Sequence, residues 1–285
     1  SPILSSRLLA LSSLAASAGA ETSVISFSIN ENPTTNALEA FRSLPASVRL
    51  CARDPLSHER LANHLLRPVS LTADIAFLLK PIRDSVTVTP VLEWIAEQKD
   101  AGRLVVGINA NRQVLGAAPQ ETLAMFIDAY SQALDELYAL EKVSYLLIAH
   151  DFRGSDNDQV LAEVILARMA PEVRVHTRLT PVPCKAAEIK GICADLDFVL
   201  TARMHCAIAC LGQTTPVAGI GYQDKFEGLF LHFGLGGMVM TPEQALQPGS
   251  LLDMLLKLMR ERDALRVQIA AELPRILALA EDNVA

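Results

Sequence analysis

Short apolar runs alternate with helix-patterned segments along most of this chain. The clearest series begins with the run 103–109 and ends with the run 215–220. Such runs are too short for buried helices, and turn residues bound them, which predicts strands buried on both faces. Strands that alternate with helices form parallel sheets, so we expect an α/β fold with doubly wound, Rossmann-like domains. In this part the predicted strands are 103–109, 143–149, 172–176, 196–200 and 215–220, and the predicted helices are 119–139, 158–168, 184–193 and 202–211.

The 285 residues are enough for about two such domains. We predict an N-terminal domain over 1–92, a C-terminal domain over 93–262, and a C-terminal helix, 263–285, that packs back onto the first. The two domains are expected to face a cleft, with ligands at the carboxyl ends of the strands. Because an α/β unit that opens on a helix is unusual, we expect the first strand or two of the natural protein to be missing. The first domain is predicted to contain helices 4–18, 36–43 and 55–65 and strands 23–29, 47–52 and 75–79, and 89–100 is a linking helix.

The composition limits the partners of the chain. It has 25 Lys and Arg against 32 Asp and Glu, a net charge of −7, and no basic run, so we do not expect it to bind nucleic acid. No apolar run reaches transmembrane length. The 5 cysteines include no C-x-x-C pair, which is typical of a reducing compartment and predicts a cytoplasmic protein. Metal binding by His205, Cys206 and Cys210 is not expected, because His205 and Cys206 are adjacent on a helix and point apart.

The segment Thr201–Ala209 places two side chains that can carry positive charge at the start of a predicted helix. Thr201 is a good N-cap, and Arg203 and His205 follow it. The positive end of the helix dipole disfavours cations there by about 0.3–1 kcal/mol each, but it favours an anion. Arg203 and His205 are explained if a phosphate or carboxylate binds between them. A solvated arginine and a hydrogen-bonded histidine are the alternative.

Other polar residues follow the predicted strands. Arg53 comes directly after strand 47–52 and has no capping role to explain it, so we expect it to project toward the cleft. His150, Asp151 and Arg153 place a base, a carboxylate and a guanidinium on one loop after strand 143–149, although a salt-bridged structural loop is an alternative. Lys225 follows strand 215–220 and suits a phosphate, although a solvated lysine is the simpler interpretation.

Five fragments in register resemble the polysaccharide pyruvyl transferase family. They are 53–57, 73–78, 150–153, 194–205 and 221–229. The resemblance covers most of the chain from about residue 20 to 235. It implies a two-domain fold of the GT-B glycosyltransferase type and transfer of a pyruvyl group from phosphoenolpyruvate to sugar hydroxyls, with formation of a ketal. The partners it implies are phosphoenolpyruvate as co-substrate and a glycan or lipid-linked sugar as acceptor, with no further cofactor.

The resemblance also implies roles for the polar residues. Arg53, His205 and Lys225 would bind or activate phosphoenolpyruvate, and Arg203 would line the same pocket. His205 is the candidate acid, because a bound phosphate would favour its protonated form. The remaining loop residues are assigned to the acceptor base, Asp151 or His150, and to donor binding, Arg153. The Gly-rich N-terminal segment usual in the family is absent, so part of the acceptor site is expected to be missing.

Two other functions are compatible with the same fold. A GT-B glycosyltransferase would place the diphosphate of a nucleotide-sugar at the helix that carries His205. A non-catalytic glycan- or anion-binding module would keep the fold without the chemistry. The donor that binds, and the release of phosphate when donor and glycan are both present, distinguish these alternatives.

Overall fold

The computed structural model describes residues 2–154, 157–221 and 224–285. It is an α/β fold with two parallel sheets, as the sequence predicts. The strands are β1 (Ser23–Phe27), β2 (Arg49–Ala52), β3 (Ser70–Leu71), β4 (Leu104–Asn109), β5 (Val143–Leu147), β6 (Thr177–Leu179), β7 (Phe198–Thr201), β8 (Val217–Ile220) and β9 (Val239–Met240). The helices are α1 (Pro2–Ser17), α2 (Thr35–Arg42), α3 (Pro55–His64), α4 (Thr89–Asp100), α5 (Gln120–Leu140), α6 (Asp158–Arg168), α7 (Pro171–Arg174), α8 (Ala186–Cys193), α9 (Met204–Leu211), α10 (Lys225–Leu231), α11 (Pro242–Ala245) and α12 (Ser250–Glu281).

The described residues form two compact units. The first comprises residues 2–78, 224–236 and 274–285 and holds a parallel sheet of order β1-β2-β3. Helix α3 begins as its sequence predicts, since the Asp54 carboxylate accepts the amide proton of Ser57 and Pro55 follows the cap. Apolar residues of α1, α2, α3, β2 and the segments next to them form the core of this unit: Leu9, Ile29, Phe41, Leu44, Val48, Leu50, Leu61 and Leu65.

The second unit comprises the described residues of 79–221 and 237–273. Its sheet has the strand order β6-β5-β4-β7-β8-β9, and every neighbouring pair is parallel. In chain order this is 3-2-1-4-5-6, the arrangement of a Rossmann fold. The order reverses between β4 and β7, so the helical connections that follow these strands leave toward opposite sides and open a crevice at their carboxyl ends.

The predicted division at residues 92 and 93 differs from these units. Residues 79–92 join the second unit, because the Ile82 amide donates to the Ala187 carbonyl oxygen at 2.9 Å. Gly191 permits this contact, since a β-carbon there would lie 2.0 Å from the Ile82 oxygen. Of the predicted C-terminal helix, only the part from Pro274 belongs to the first unit. There the Asn283 amide donates to the Ala73 carbonyl oxygen at 2.8 Å.

Three predicted elements are wrong. Residues 75–78 form a 3-10 helix, because Asp74 accepts the amide protons of Ala76 and Phe77 and turns the chain. The predicted strand 172–176 is instead helix α7 followed by β6, since Pro171 at its start favours a helical first turn. The helix predicted over 263–285 is instead the C-terminal part of one longer helix, α12, which begins at Ser250 and contains Pro274.

Candidate functional site

The crevice between β4 and β7 in the second unit is lined by polar groups at the strand ends. Asn109 ends β4, and Thr201 ends β7 beside it. The Thr201 hydroxyl donates to Asn109 Oδ1 at 2.8 Å, and the Ala202 amide donates to the Asn109 carbonyl oxygen at 2.9 Å. Both side chains are fully buried. These bonds fix the two strand ends at the point where a Rossmann fold binds its ligands.

A buried carboxylate, Asp158, lies at this point. It is the first residue of α6, and its side chain is 1 % exposed. The Arg203 guanidinium donates to its Oδ1 from Nη2 at 2.7 Å and from Nε at 3.1 Å. Its Oδ2 accepts from Asn109 Nδ2 at 3.0 Å and from the amides of Asp151 at 3.0 Å and His150 at 3.2 Å. One carboxylate therefore joins the segments that follow β4, β5 and β7.

Asp151 lies between two arginines of this site. Arg153 donates to both of its carboxylate oxygens, at 2.9 and 3.0 Å, and Arg203 Nη1 lies 3.5 Å from Asp151 Oδ2. These donors, Arg153 first among them, lower the pKa of the Asp151 carboxyl to about 2. A carboxylate with so low a pKa is a weak proton acceptor near neutral pH. Of the two residues predicted as the acceptor base, His150 therefore suits that role better.

Arg203 is the N-cap residue of α9, and His205 is in the first turn. The prediction that Thr201 is the N-cap is wrong, because its hydroxyl instead accepts the Arg203 amide proton at 3.0 Å, just outside the helix. The His205 side chain is exposed, whereas the rest of the helix is buried. On the neighbouring loop, the ring of His150 makes no hydrogen bond within the described residues and is half-buried. One histidine thus follows Arg203 in the first turn of α9, and the other lies on a loop whose backbone is bound by the same carboxylate as Arg203.

Arg53 belongs to the first unit and is already paired there. Its Nη1 lies 2.8 Å from Asp74 Oδ2, and its Nε donates to the Ser28 hydroxyl at 2.8 Å. Ser28 in turn donates to Asp54 Oδ2 at 2.7 Å. The sequence offered no capping role for Arg53, and the structure shows that acceptors of its own unit hold it at the carboxyl end of β2.

Lys225 is the first residue of α10 and lies in the first unit, together with Arg53. The sequence placed it in the other domain. Helix α10 belongs here because Asp224 pairs with Arg60 at 2.7 Å and because Gly228 packs on the Asp54 carboxylate. A β-carbon at Gly228 would lie 2.5 Å from Asp54 Oδ1. Tyr222 and Gln223, which belong to the same predicted fragment, lie outside the described residues.

Three thiols carried by α8 and α9 form a cluster. The Sγ atoms of Cys193, Cys206 and Cys210 are all within 4.8 Å of one another and could hold a metal ion. Cys193 was not considered from the sequence, which paired Cys206 and Cys210 with His205. All 5 cysteines are free and buried. Burial raises the pKa of the Cys210 thiol, which favours a neutral thiol at this position in the core.

Sequence reasoning missed three residues that hold Arg53 and Arg203 in place. Asp74 and Asp158 accept from these arginines, and Asn109 donates to Asp158. Asp158 was interpreted only as the start of a helix, and Asn109 as the end of a strand. Asp74 stood in a recognised fragment but had no role. The sequence signal that could have found these residues is a polar residue at the end of an apolar strand. Of the three, only Asn109 shows it clearly.

Within the described residues, no helix is both long and apolar enough to cross a membrane.

Solved structures similar to this one define its class. An α,α-trehalose-phosphate synthase (UDP-forming) from Burkholderia vietnamiensis superposes with a TM-score of 0.59 at 13% identity. The superposition covers 96% of this chain and 70% of the synthase chain. The α,α-trehalose 6-phosphate synthase from Burkholderia multivorans superposes with a TM-score of 0.60 at 12% identity. That superposition covers 96% of this chain and 66% of the synthase chain. At such identities the likeness concerns the fold alone, which is that of the GT-B glycosyltransferases.

The sequence defines the family. The sequence model of the polysaccharide pyruvyl transferase family matches residues 3–224. This chain belongs to that family and is a transferase, as its five fragments indicate. A comparison with proteins of curated function gives no significant match.

Proposed function

We propose that this protein transfers a pyruvyl group from phosphoenolpyruvate to two hydroxyls of a glycan or a lipid-linked sugar and forms a ketal. The observation that carries the proposal is the fixed guanidinium of Arg203 next to His205 at the start of α9, in a chain of the pyruvyl transferase family. An acid beside an anion-binding group is what this reaction needs.

The reaction determines which groups are needed. A proton is added to the methylene carbon of phosphoenolpyruvate, which becomes a methyl group, and the adjacent carbon becomes oxocarbenium-like. Two hydroxyl oxygens then bond to that carbon, and its bond to the phosphate oxygen breaks. Of the two hydroxyl protons, one replaces the proton given by the acid and the other leaves with phosphate. The site must therefore supply an acid, a base and cations for a carboxylate and a phosphate.

The described side chains suit these tasks. His205 is exposed in the first turn of α9 and is our candidate acid. Arg203 presents its Nη1 away from Asp158, toward Gln113 and Asp151, and is a candidate for the donor carboxylate or phosphate. We assign Arg53 and Lys225 to the donor anion as well, on the family resemblance.

The loop after β5 supplies the remaining groups. His150 is the candidate base for the acceptor hydroxyl. Arg153 is 86 % exposed, so its positive charge is open to an approaching anion even while it holds Asp151. We expect the protein to act in the cytoplasm, where phosphoenolpyruvate and sugar precursors are both present.

The test measures phosphate release and ketal formation separately. The protein is incubated with phosphoenolpyruvate and a panel of glycan and lipid-linked acceptors, and the new ketal methyl group is detected by NMR. Phosphate released only when donor and acceptor are both present, together with the methyl signal, supports the proposal.

The same panel includes nucleotide-sugars as donors. Sugar transfer from one of them, without ketal from phosphoenolpyruvate, would favour a GT-B glycosyltransferase. Glycan binding without any turnover would favour a non-catalytic binding module. Either result would refute the proposed reaction.

A further inference from the structure

The geometry points to Asp158 as the residue that positions two groups for the proposed reaction. They are the Arg203 guanidinium and the backbone of His150 and Asp151. This inference rests on the proposed function for its catalytic consequence. Asp158 itself touches no substrate in this scheme, because its side chain is 1 % exposed. It acts through the residues that it holds.

The contacts of Arg203 divide its guanidinium into two edges. Nε and Nη2 both face Asp158, with distances of 2.7 to 3.2 Å to the carboxylate oxygens. Nη1 faces the exposed side, where it donates to Gln113 Oε1 at 3.2 Å. Because two nitrogens are bonded to one carboxylate, the guanidinium plane is fixed. The edge that carries Nη1, which also lies 3.5 Å from Asp151 Oδ2, is the one that an anion can reach.

The other contacts of Asp158 fix the loop after β5. The amides of His150 and Asp151 both donate to Oδ2, which holds the backbone next to the candidate base. Asn109 Nδ2 donates to the same oxygen and to the Ile148 carbonyl oxygen at 2.9 Å. A single buried carboxylate thus sets the relative positions of a cation and a histidine-bearing loop.

Asp158 lies in the buried interior of its unit, where its charge acts on the side chain of Tyr130. The hydroxyl of Tyr130 is fully buried and has no hydrogen-bond partner within the described residues. Burial, and then the negative charge of Asp158, raise the pKa of this hydroxyl. In such surroundings a buried ion pair adds little net stability over apolar side chains of similar volume. Stability alone therefore gives a weak reason for an Asp158–Arg203 pair at this point.

The alternative role for Asp158 is structural. An aspartate at the first residue of a helix interacts favourably with the helix dipole, and it could serve α6 alone. The two roles differ in one measurable respect. A positioning residue loses its effect on the donor once Arg203 is removed, whereas a purely structural residue weakens the protein whether or not Arg203 is present.

The experiment is a double-mutant cycle of Asp158→Asn and Arg203→Gln, read as the KM for phosphoenolpyruvate and kcat. We expect Asp158→Asn to raise this KM about 10- to 100-fold and to lower kcat by less than about 5-fold. The double variant should have a KM for phosphoenolpyruvate no higher than that of Arg203→Gln alone, whereas an effect through the His150 loop would appear in kcat. Additive effects, or a KM within about 2-fold of wild type in Asp158→Asn, would overturn the inference.

The control removes a surface carboxylate that also pairs with an arginine. Asp128 forms an exposed ion pair with Arg168 in the same unit. Asp128→Asn should leave KM and kcat unchanged within about 2-fold. If Asp158→Asn does not fold, Arg203→Lys provides the test, since lysine keeps the charge but cannot bond to Asp158 through two nitrogens. A wild-type KM in Arg203→Lys would refute a role for the fixed guanidinium plane.

A measurement without substrate separates this inference from the proposed function. The Nε–H resonance of Arg203, assigned by its loss in Arg203→Lys, should exchange slowly with solvent in the wild type and rapidly in Asp158→Asn. Unchanged exchange in Asp158→Asn would refute positioning by Asp158. A greater change in Gln113→Ala than in Asp158→Asn would also refute it. Absence of ketal formation by the wild type would refute the proposed function, while this resonance would still report on Arg203.

Discussion

Arg53 donates from Nη1 to Asp74 Oδ2 at 2.8 Å, so an arginine assigned to the donor anion is paired within its own unit before any ligand binds. The exposed fractions of the two side chains are 17% and 5%. An anion that binds Arg53 must approach nitrogens that Asp74 and Ser28 do not occupy. The pair therefore orients this arginine and also reduces its net positive field.

We predict that removing one partner of the Arg53–Asp74 pair lowers the free energy of unfolding more than removing both. Asp74→Asn leaves the partly buried charge of Arg53 without its carboxylate and should lower the free energy of unfolding by about 2–4 kcal/mol. The double variant Arg53→Met, Asp74→Asn should be destabilised less, because no buried charge is left unpaired. Urea unfolding measures both. A double variant at least as unstable as Asp74→Asn would contradict the prediction, and Asp128→Asn is the surface control.

We predict that His205→Gln separates binding from chemistry. If His205 is the proton donor, this variant keeps most of the affinity for phosphoenolpyruvate, since the arginines and Lys225 still supply positive charge. Its turnover should fall about 10²- to 10⁴-fold. Calorimetry measures donor affinity, and phosphate release measures turnover. Turnover within a few-fold of wild type would remove the acid role from His205.

Arg53→Ala should show the opposite pattern. Loss of a charge-assisted contact weakens donor binding by about 1.5–3 kcal/mol, provided that Arg53 touches the anion. Calorimetry with phosphoenolpyruvate measures the change, and circular dichroism checks that the variant is folded. Donor affinity equal to that of wild type would remove Arg53 from the donor site.

We predict that the charge of Asp151 contributes stability at neutral pH that is lost in acid. Its folded pKa, about 2, lies below its ordinary value of 3.8. The contribution is therefore fully present above pH 4 and is lost as the pH falls toward 2. A carboxyl carbon NMR titration measures this pKa directly. Arg153→Gln removes the main cause of the shift and should raise the pKa, and an unchanged pKa in that variant would contradict the prediction.

We predict that the thiols are unreactive in the folded protein. All 5 cysteines are buried, so an aromatic disulfide reagent should modify them only after unfolding in urea. The count of reacted thiols with and without urea, followed by absorbance, is the measurement. Rapid modification of any cysteine in the native protein would show that the buried packing around the thiol cluster opens readily.

Local patterns predicted most elements of this fold. The apolar runs that became β4, β5, β7 and β8 are each bounded by turn residues, and burial on both faces left little alternative to a parallel sheet. Two of the three wrongly predicted elements have local causes that apolar patterning does not reveal. At Asp74 a carboxylate turned an apolar run into a 3-10 helix, and at Pro171 a proline started a helix in an alternating segment.

The sequence by itself determined the fold class, the family, and which polar residues follow the strands, because these depend on residue type and spacing along the chain. Only the tertiary structure decided which carboxylate holds which arginine: Asp158 holds Arg203, and Asp74 holds Arg53. It also placed Lys225 in the unit of Arg53. Such pairings join residues separated by 45 and 21 positions, and the distance between them is set by how helices and strands pack, which no local pattern encodes.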